Sequence, residues 1–138
     1  MATTVLVMED DQFMRELLRL HLQSAGYDVL EAEDPVVAGH LLIKKRPDIL
    51  IADIEMPFMD GLEFVQALRA DPTVAEIPVI FISARYDYED RCKDLGAIAF
   101  LKKPVLAGQL LATLAKHAER GAYQGPNTAS SAFTSSVK

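Results

Sequence analysis

Five short apolar runs, each followed by a stretch of helical period, limit this chain to one class of fold. The runs are Val5–Met8, Tyr27–Ala32, Asp48–Ala52, Ile77–Ser83 and Ile98–Leu101. They are rich in Val and Ile and too short for helices, as expected of strands buried on both faces of a parallel sheet. Between them the apolar period lengthens. Met14, Leu17, Leu18 and Leu22 recur at three- and four-residue steps over Gln12–Ala25, with Asp11 as N-cap and Gly26 as the stop. Asp34-Pro35 opens a second helix that runs to Lys45, and Gly61–Ala70 forms a third with Leu62, Phe64, Val65 and Leu68 inward. Arg85–Leu95 carries only a thin stripe of Tyr88, Cys92 and Leu95. Leu106–Glu119 is the last helix, with Leu110, Leu111, Leu114 and Ala118 facing in. Strict alternation of this kind predicts a doubly wound α/β domain, with helices on both faces and right-handed crossovers. Strand order 2-1-3-4-5 suits the length and puts the switch point between strands 1 and 3.

The totals set bounds on function. A chain of 138 residues, half of them hydrophobic, has the size and core of one domain. A net charge of −6 argues against a nucleic-acid surface. The single cysteine, Cys92, excludes an internal disulfide and is read as a small core residue. No apolar run is long enough to span a membrane and no signal peptide is visible, so a cytoplasmic location is expected. From Gly121 onward Ser, Thr, Ala, Gly and Asn dominate, which predicts a domain over 1–120 and a disordered polar tail over 121–138.

The chemistry gathers at the strand ends. Strand 1 ends at Glu9-Asp10, strand 3 at Asp53, strand 4 at Ser83 and strand 5 at Lys103. In a parallel sheet these carboxyl ends share one rim, so the side chains are expected to converge over the switch point. Three carboxylates in one small space repel and need a counter-charge. Mg²⁺ supplies it: the ion takes one or two carboxylates and shares its remaining positions with water and phosphate oxygens. Lys103 adds a compact positive charge and Ser83 a hydroxyl donor, both suited to a phosphoryl group. Asp53 is the candidate nucleophile, since a carboxylate can form an aspartyl phosphate. After it, Pro57 and Gly61 turn the chain out of the strand into a shaped loop.

In order and at these spacings, VLVMEDD, ILIADIEMPFMDG, VIFISA and FLKKP resemble the response-regulator receiver domain of two-component signalling, over residues 4–119. The resemblance implies a flavodoxin-like (βα)5 fold and a phosphorylation-activated switch rather than an enzyme. It implies Asp53 as phospho-acceptor, Asp10 as direct metal ligand, Glu9 as a ligand through water and the Glu55 backbone carbonyl as a further ligand. Ser83 becomes the switch hydroxyl beside the small Ala84, Phe100 the switch aromatic, and Lys103 the phosphate partner before a cis Lys103–Pro104 bond. Glu9 stands where Asp is commoner, and Phe100 lacks the hydroxyl of a Tyr. Implied partners are a histidine kinase or histidine phosphotransfer protein, and a downstream protein on the face of helix 4, strand 5 and helix 5, with no nucleic acid or membrane contacted directly.

Blander readings stand beside these. Asp11 is a cap rather than a ligand, Lys102 is solvated, Met56 and Met59 pack the loop, and His21, His40 and His117 carry no chemistry. Two other functions compete: an aspartyl-phosphate phosphatase of the haloacid-dehalogenase type, from the Asp53-Ile54-Glu55 spacing, and a pseudo-receiver that only binds a protein. The short helix after strand 4 is expected to be loosely held and able to shift with strand 5.

Overall fold

The computed structural model describes residues 2–120, and the expected tail over 121–138 lies outside the described residues. Strands β1 (Thr4–Met8), β2 (Asp28–Ala32), β3 (Ile49–Asp53), β4 (Val79–Ser83) and β5 (Ala99–Lys102) alternate with helices α1 (Gln12–Ser24), α2 (Pro35–Lys45), α3 (Gly61–Ala70), α4 (Glu89–Asp94) and α5 (Ala107–Arg120). The sheet has order β2-β1-β3-β4-β5 with every pair parallel, as the alternation predicts.

Successive strand side chains point to opposite faces, which splits the core in two. Leu6, Met8, Leu50, Ala52, Val79, Phe81 and Phe100 pack against Ala38 and Leu42 of α2, Leu62, Phe64, Val65 and Leu68 of α3, and Cys92 of α4. Val5, Val7, Ile49, Ile51, Ile80, Ile82, Ala99 and Leu101 pack on the other face against Leu18 and Leu22 of α1 and Leu110 and Leu114 of α5. All five residues of β3 and of β4 are buried, which is why those runs carry no polar alternation. Ala118 is exposed, so the inner stripe of α5 ends earlier than its period suggests.

Aspartates start the first three helices. Asp11, Asp34 and Asp60 accept the amides of Met14, Val37 and Glu63 at 2.9, 2.8 and 2.7 Å. Asp11 is thus the cap that its position predicts. β4 begins two residues later than its apolar run, at Val79. Pro78 has no amide to donate, and the Ile77 carbonyl is taken by Arg69 Nη1 at 2.7 Å. The largest departure is α4. The apolar stripe predicts a helix from Arg85, but the helix begins at Glu89. Residues 85–88 are held in turns by local bonds: the Arg85 guanidinium forks onto Asp87 at 2.9 and 2.7 Å, and the Arg85 amide donates to Ser83 Oγ at 2.9 Å. Tyr88 at the N-cap offers no side-chain cap bond.

The turn from β3 into α3 depends on close backbone approach. A Cβ on Gly61 would fall 2.3 Å from the Asp53 carbonyl oxygen and 3.0 Å from its carbon. Backbone cannot give way as a side-chain tip can. Gly61→Ala is therefore expected to cost about 1–3 kcal/mol in urea unfolding, as overpacking does. A Cβ on Gly108 would meet nothing within 4 Å, so Ala there is expected to leave stability unchanged or raise it by up to about 1 kcal/mol. Equal stabilities for the two variants would contradict the close packing assigned to the end of β3.

Candidate functional site

The alternation that divides the core also selects the residues at the rim. Continuing each strand by its pleat puts Glu9, Asp53 and Lys103 on the same side as Val7, Ile51 and Leu101, the face of α1 and α5. Ser83 and Lys102 fall on the other side, with Phe81 and Phe100. The register Met8↔Ala52 carries forward to set Glu9 level with Asp53, whereas Asp53↔Ile82 and Ile82↔Leu101 leave Lys103 two residues further along, from where its long side chain reaches back. Lys103 Nζ stands 3.0 Å from Glu9 Oε1 and 3.2 Å from Asp53 Oδ1. Its amide donates to the Ser83 carbonyl at 2.8 Å, which ties the strand 5 end to strand 4. The Lys103–Pro104 peptide is cis, as the resemblance implies. Lys102 is not freely solvated. Its ammonium lies 4.9 Å from the Tyr86 ring centroid, a cation–π contact.

Glu9 and Asp53 are buried, and Asp10 is exposed beside them. One carboxylate oxygen from each lies within 4.8 Å of the others. Glu9 is oriented from its own neighbourhood: the Asp11 amide donates to its Oε2 at 3.2 Å, and Arg15 Nη1 donates to its carbonyl at 2.9 Å. Glu9 Oε1 and Asp53 Oδ1 are buried and share the Lys103 ammonium without a well-directed hydrogen bond, and Asp53 Oδ2 is buried with no hydrogen-bond partner. A buried acceptor left without a partner, as Asp53 Oδ2 is, is costly unless something else satisfies it. Burial first, then the hydrogen-bonding and charge of the adjacent Glu9 carboxyl, push Asp53 from 3.8 up to about 8, against the pull of Lys103. Burial opposes the charge on Lys103, but the Asp53 and Glu9 carboxylates outweigh it and hold the ammonium above its ordinary value. An all-oxygen donor set with unsatisfied buried acceptors fits a small hard divalent cation. Beside it a depression of about 180 Å³, lined by Asp10, Glu33, Asp34, Pro35, Met56, Pro57 and Phe58, opens to solvent.

Ser83 stands at the same rim, fully buried, but its hydroxyl serves another partner. It donates to Glu55 Oε2 at 2.7 Å, and the Ala84 amide donates to Glu55 Oε1 at 2.8 Å. The receiver resemblance implies Glu55 as a backbone-carbonyl ligand and the phosphatase reading as a second acid, so this bonding of its side chain to Ser83 and Ala84 is new with the structure. Phe100 is buried against the core shared with Phe81 and Cys92, so its ring points inward. Met56 packs as expected, whereas Met59 is the more exposed of the two, at 39%.

The raised Asp53 value has a signed consequence. Between about pH 4 and pH 8 the folded chain holds a proton that the unfolded chain releases, so this group's contribution to stability falls as pH rises through that window. In chelator-treated protein, Asp53→Asn is expected to match wild type near pH 4 and to exceed it by about 1–3 kcal/mol above pH 8, in urea unfolding. No difference at any pH would mean that the Asp53 charge is already compensated.

A family model described as the response regulator receiver domain matches residues 5–115. The DNA-binding dual master transcriptional regulator RpaA of a Synechocystis strain is 34% identical over 110 residues, covering 78% of this chain and 46% of that protein. The response regulator MprA of Mycobacterium bovis is 38% identical over 116 residues, covering 83% of this chain and 50% of that protein. The chain thus spans about half the length of these curated relatives. Among solved structures, the chemotaxis protein CheY4 of Vibrio cholerae superposes with a TM-score of 0.79 at 32% identity, covering 84% of this chain and 98% of that one. A response regulator receiver protein from Pseudomonas putida gives a TM-score of 0.78 at 33% identity, covering 85% and 98%. Strand order, motif spacing and relatives agree, and the chain belongs to the response regulator receiver domain family.

Proposed function

We propose that this chain is a phosphorylation-activated signalling switch that accepts a phosphoryl group on Asp53. The observation that carries this reading is the placing of one ammonium, Lys103, 3.2 Å from a buried carboxylate that is otherwise surrounded by acids. Asp53 Oδ attacks phosphorus, and the bond from phosphorus to the donor breaks. From a phosphohistidine the P–N bonding pair stays on the imidazole, which takes up a proton. From acetyl phosphate the P–O pair leaves with acetate. Water later attacks phosphorus, the acyl-phosphate P–O bond breaks, and inorganic phosphate departs from a restored carboxylate.

Lys103 faces the oxygens that gain charge during transfer, and Ser83 and the Ala84 amide are donors at the same rim. Asp10 and Asp53, with Glu9 and the Glu55 carbonyl, are the residues that would hold Mg²⁺. Bound there, the ion would neutralise the acids and the incoming phosphoryl oxygens. The donor of the phosphoryl group is read as a histidine kinase or histidine phosphotransfer protein. The output is read as a protein contact at the face built from α4, β5 and α5. Among the described residues no helix is long and apolar enough to cross a membrane.

Acetyl phosphate with Mg²⁺ is expected to add one phosphoryl group to wild type in an intact mass spectrum and none to Asp53→Asn. Lys103→Ala should slow the addition by about a hundredfold or more, as loss of one transition-state charge does elsewhere. Absence of any addition to wild type would favour a binding-only pseudo-receiver. Addition of equal size to Asp53→Asn would place the acceptor elsewhere.

A further inference from the structure

Glu55 bears on this reading through its side chain. Its carboxylate is half-buried and accepts twice, from Ser83 Oγ at 2.7 Å and from the Ala84 amide at 2.8 Å. Both bonds are short and charge-assisted. A serine hydroxyl has one proton to give, and a backbone amide has one. Ser83 Oγ also accepts from the Arg85 amide at 2.9 Å, so the hydroxyl is fixed from both directions. Two donors at the rim of the Asp53 site are therefore already satisfied by an anion that belongs to the chain.

We propose that Glu55 is a positioning residue that acts as an internal latch. In the unphosphorylated protein its carboxylate takes the donors of Ser83 and Ala84. A phosphoryl group on Asp53 can recruit them only by displacing Glu55. The proposal rests on the reading of Asp53 as the phosphoryl acceptor. Two consequences follow from competition for the same donors. The latch lowers the affinity of the site for any phosphoryl-like ligand, because part of the binding free energy goes into opening it. Opening it also frees the turn over residues 84–88, which carries the Arg85–Asp87 pair and places Tyr86 over Lys102 of β5. Release at Glu55 is thus transmitted to the start of α4 and to the edge strand.

Beryllofluoride, a tetrahedral stand-in for a phosphoryl group on a carboxylate, tests this. It is titrated with Mg²⁺ into ¹⁵N-labelled wild type, Glu55→Ala, Glu55→Gln and Asp53→Asn, with binding read from amide signals including that of Ala84. Glu55→Ala is expected to bind about tenfold more tightly than wild type. Glu55→Gln, which keeps the length but one acceptor oxygen, should gain less. Before ligand is added, the Ala84 signal should differ between wild type and Glu55→Ala, and at saturation the two should converge. A residue that merely supported the fold would weaken binding when removed, so a gain separates the two roles. Wild-type binding with unchanged or weaker affinity in both Glu55 variants overturns the latch and leaves Asp53 as acceptor. No binding by wild type, or equal binding by Asp53→Asn, overturns the acceptor reading and the latch with it.

Discussion

Glu9, Asp10 and Asp53 crowd like charge at one rim of the sheet, against a single ammonium from Lys103. Two of the three acids are buried, where water cannot screen them. Burial and the neighbouring Glu9 carboxyl drive Asp53 to hold its proton up to about pH 8. The geometry is imposed by the sheet. The strand pleat puts Glu9, Asp53 and Lys103 on one side, the register sets Glu9 level with Asp53 while Lys103 reaches back from two residues further along, and Gly61 is the residue whose missing Cβ lets the loop fold back over the Asp53 carbonyl.

The mechanical asymmetry of α4 links this rim to the surface. Its C-terminal end is clasped: Arg69 donates to the Leu95 carbonyl at 2.9 Å and to the carbonyls of Ala75 and Ile77 at 3.0 and 2.7 Å. Its N-terminal end has no side-chain cap and follows directly on the turn held by Ser83, Arg85 and Asp87. The helix is six residues long and buries only Cys92. A helix so short has little stability of its own and takes its position from its neighbours. Changes at Ser83 and Ala84 therefore meet the end of α4 that is least restrained. Phe100 packs behind it on β5, in the core that also holds Cys92 and Phe81.

Much of this is legible in the chain. The alternation of buried runs and helical periods leads to the sheet order, and the strand ends mark Glu9, Asp10, Asp53, Ser83 and Lys103 as residues of one rim. The place of Lys103 before Pro104 favours it over Lys102, and pleat parity supplies the physical reason. What escapes the sequence is set by contacts whose partners lie elsewhere in the chain or compete locally with the helical period. The stripe of Tyr88, Cys92 and Leu95 suggests a helix from Arg85, but the fork of Arg85 onto Asp87 holds the first turn in another conformation. The role of the Glu55 side chain is hidden too. A signal is present, because the register Asp53↔Ile82 carries forward to set Glu55 beside Ala84, yet it becomes visible only when adjacent strand ends are compared residue by residue. Lys102 looks solvated because nothing in its own segment announces Tyr86.

The central claim is that acids from two separate strand ends act as a single seat for one divalent cation. Calorimetric titration of Mg²⁺ into chelator-treated protein tests it most directly, with Asp10→Asn as the comparison, because Asp10 is exposed and its loss leaves the buried packing intact. The account expects one ion per chain for wild type and an affinity at least about tenfold weaker for the variant. Binding of equal strength in the two proteins, or none in wild type, would contradict it.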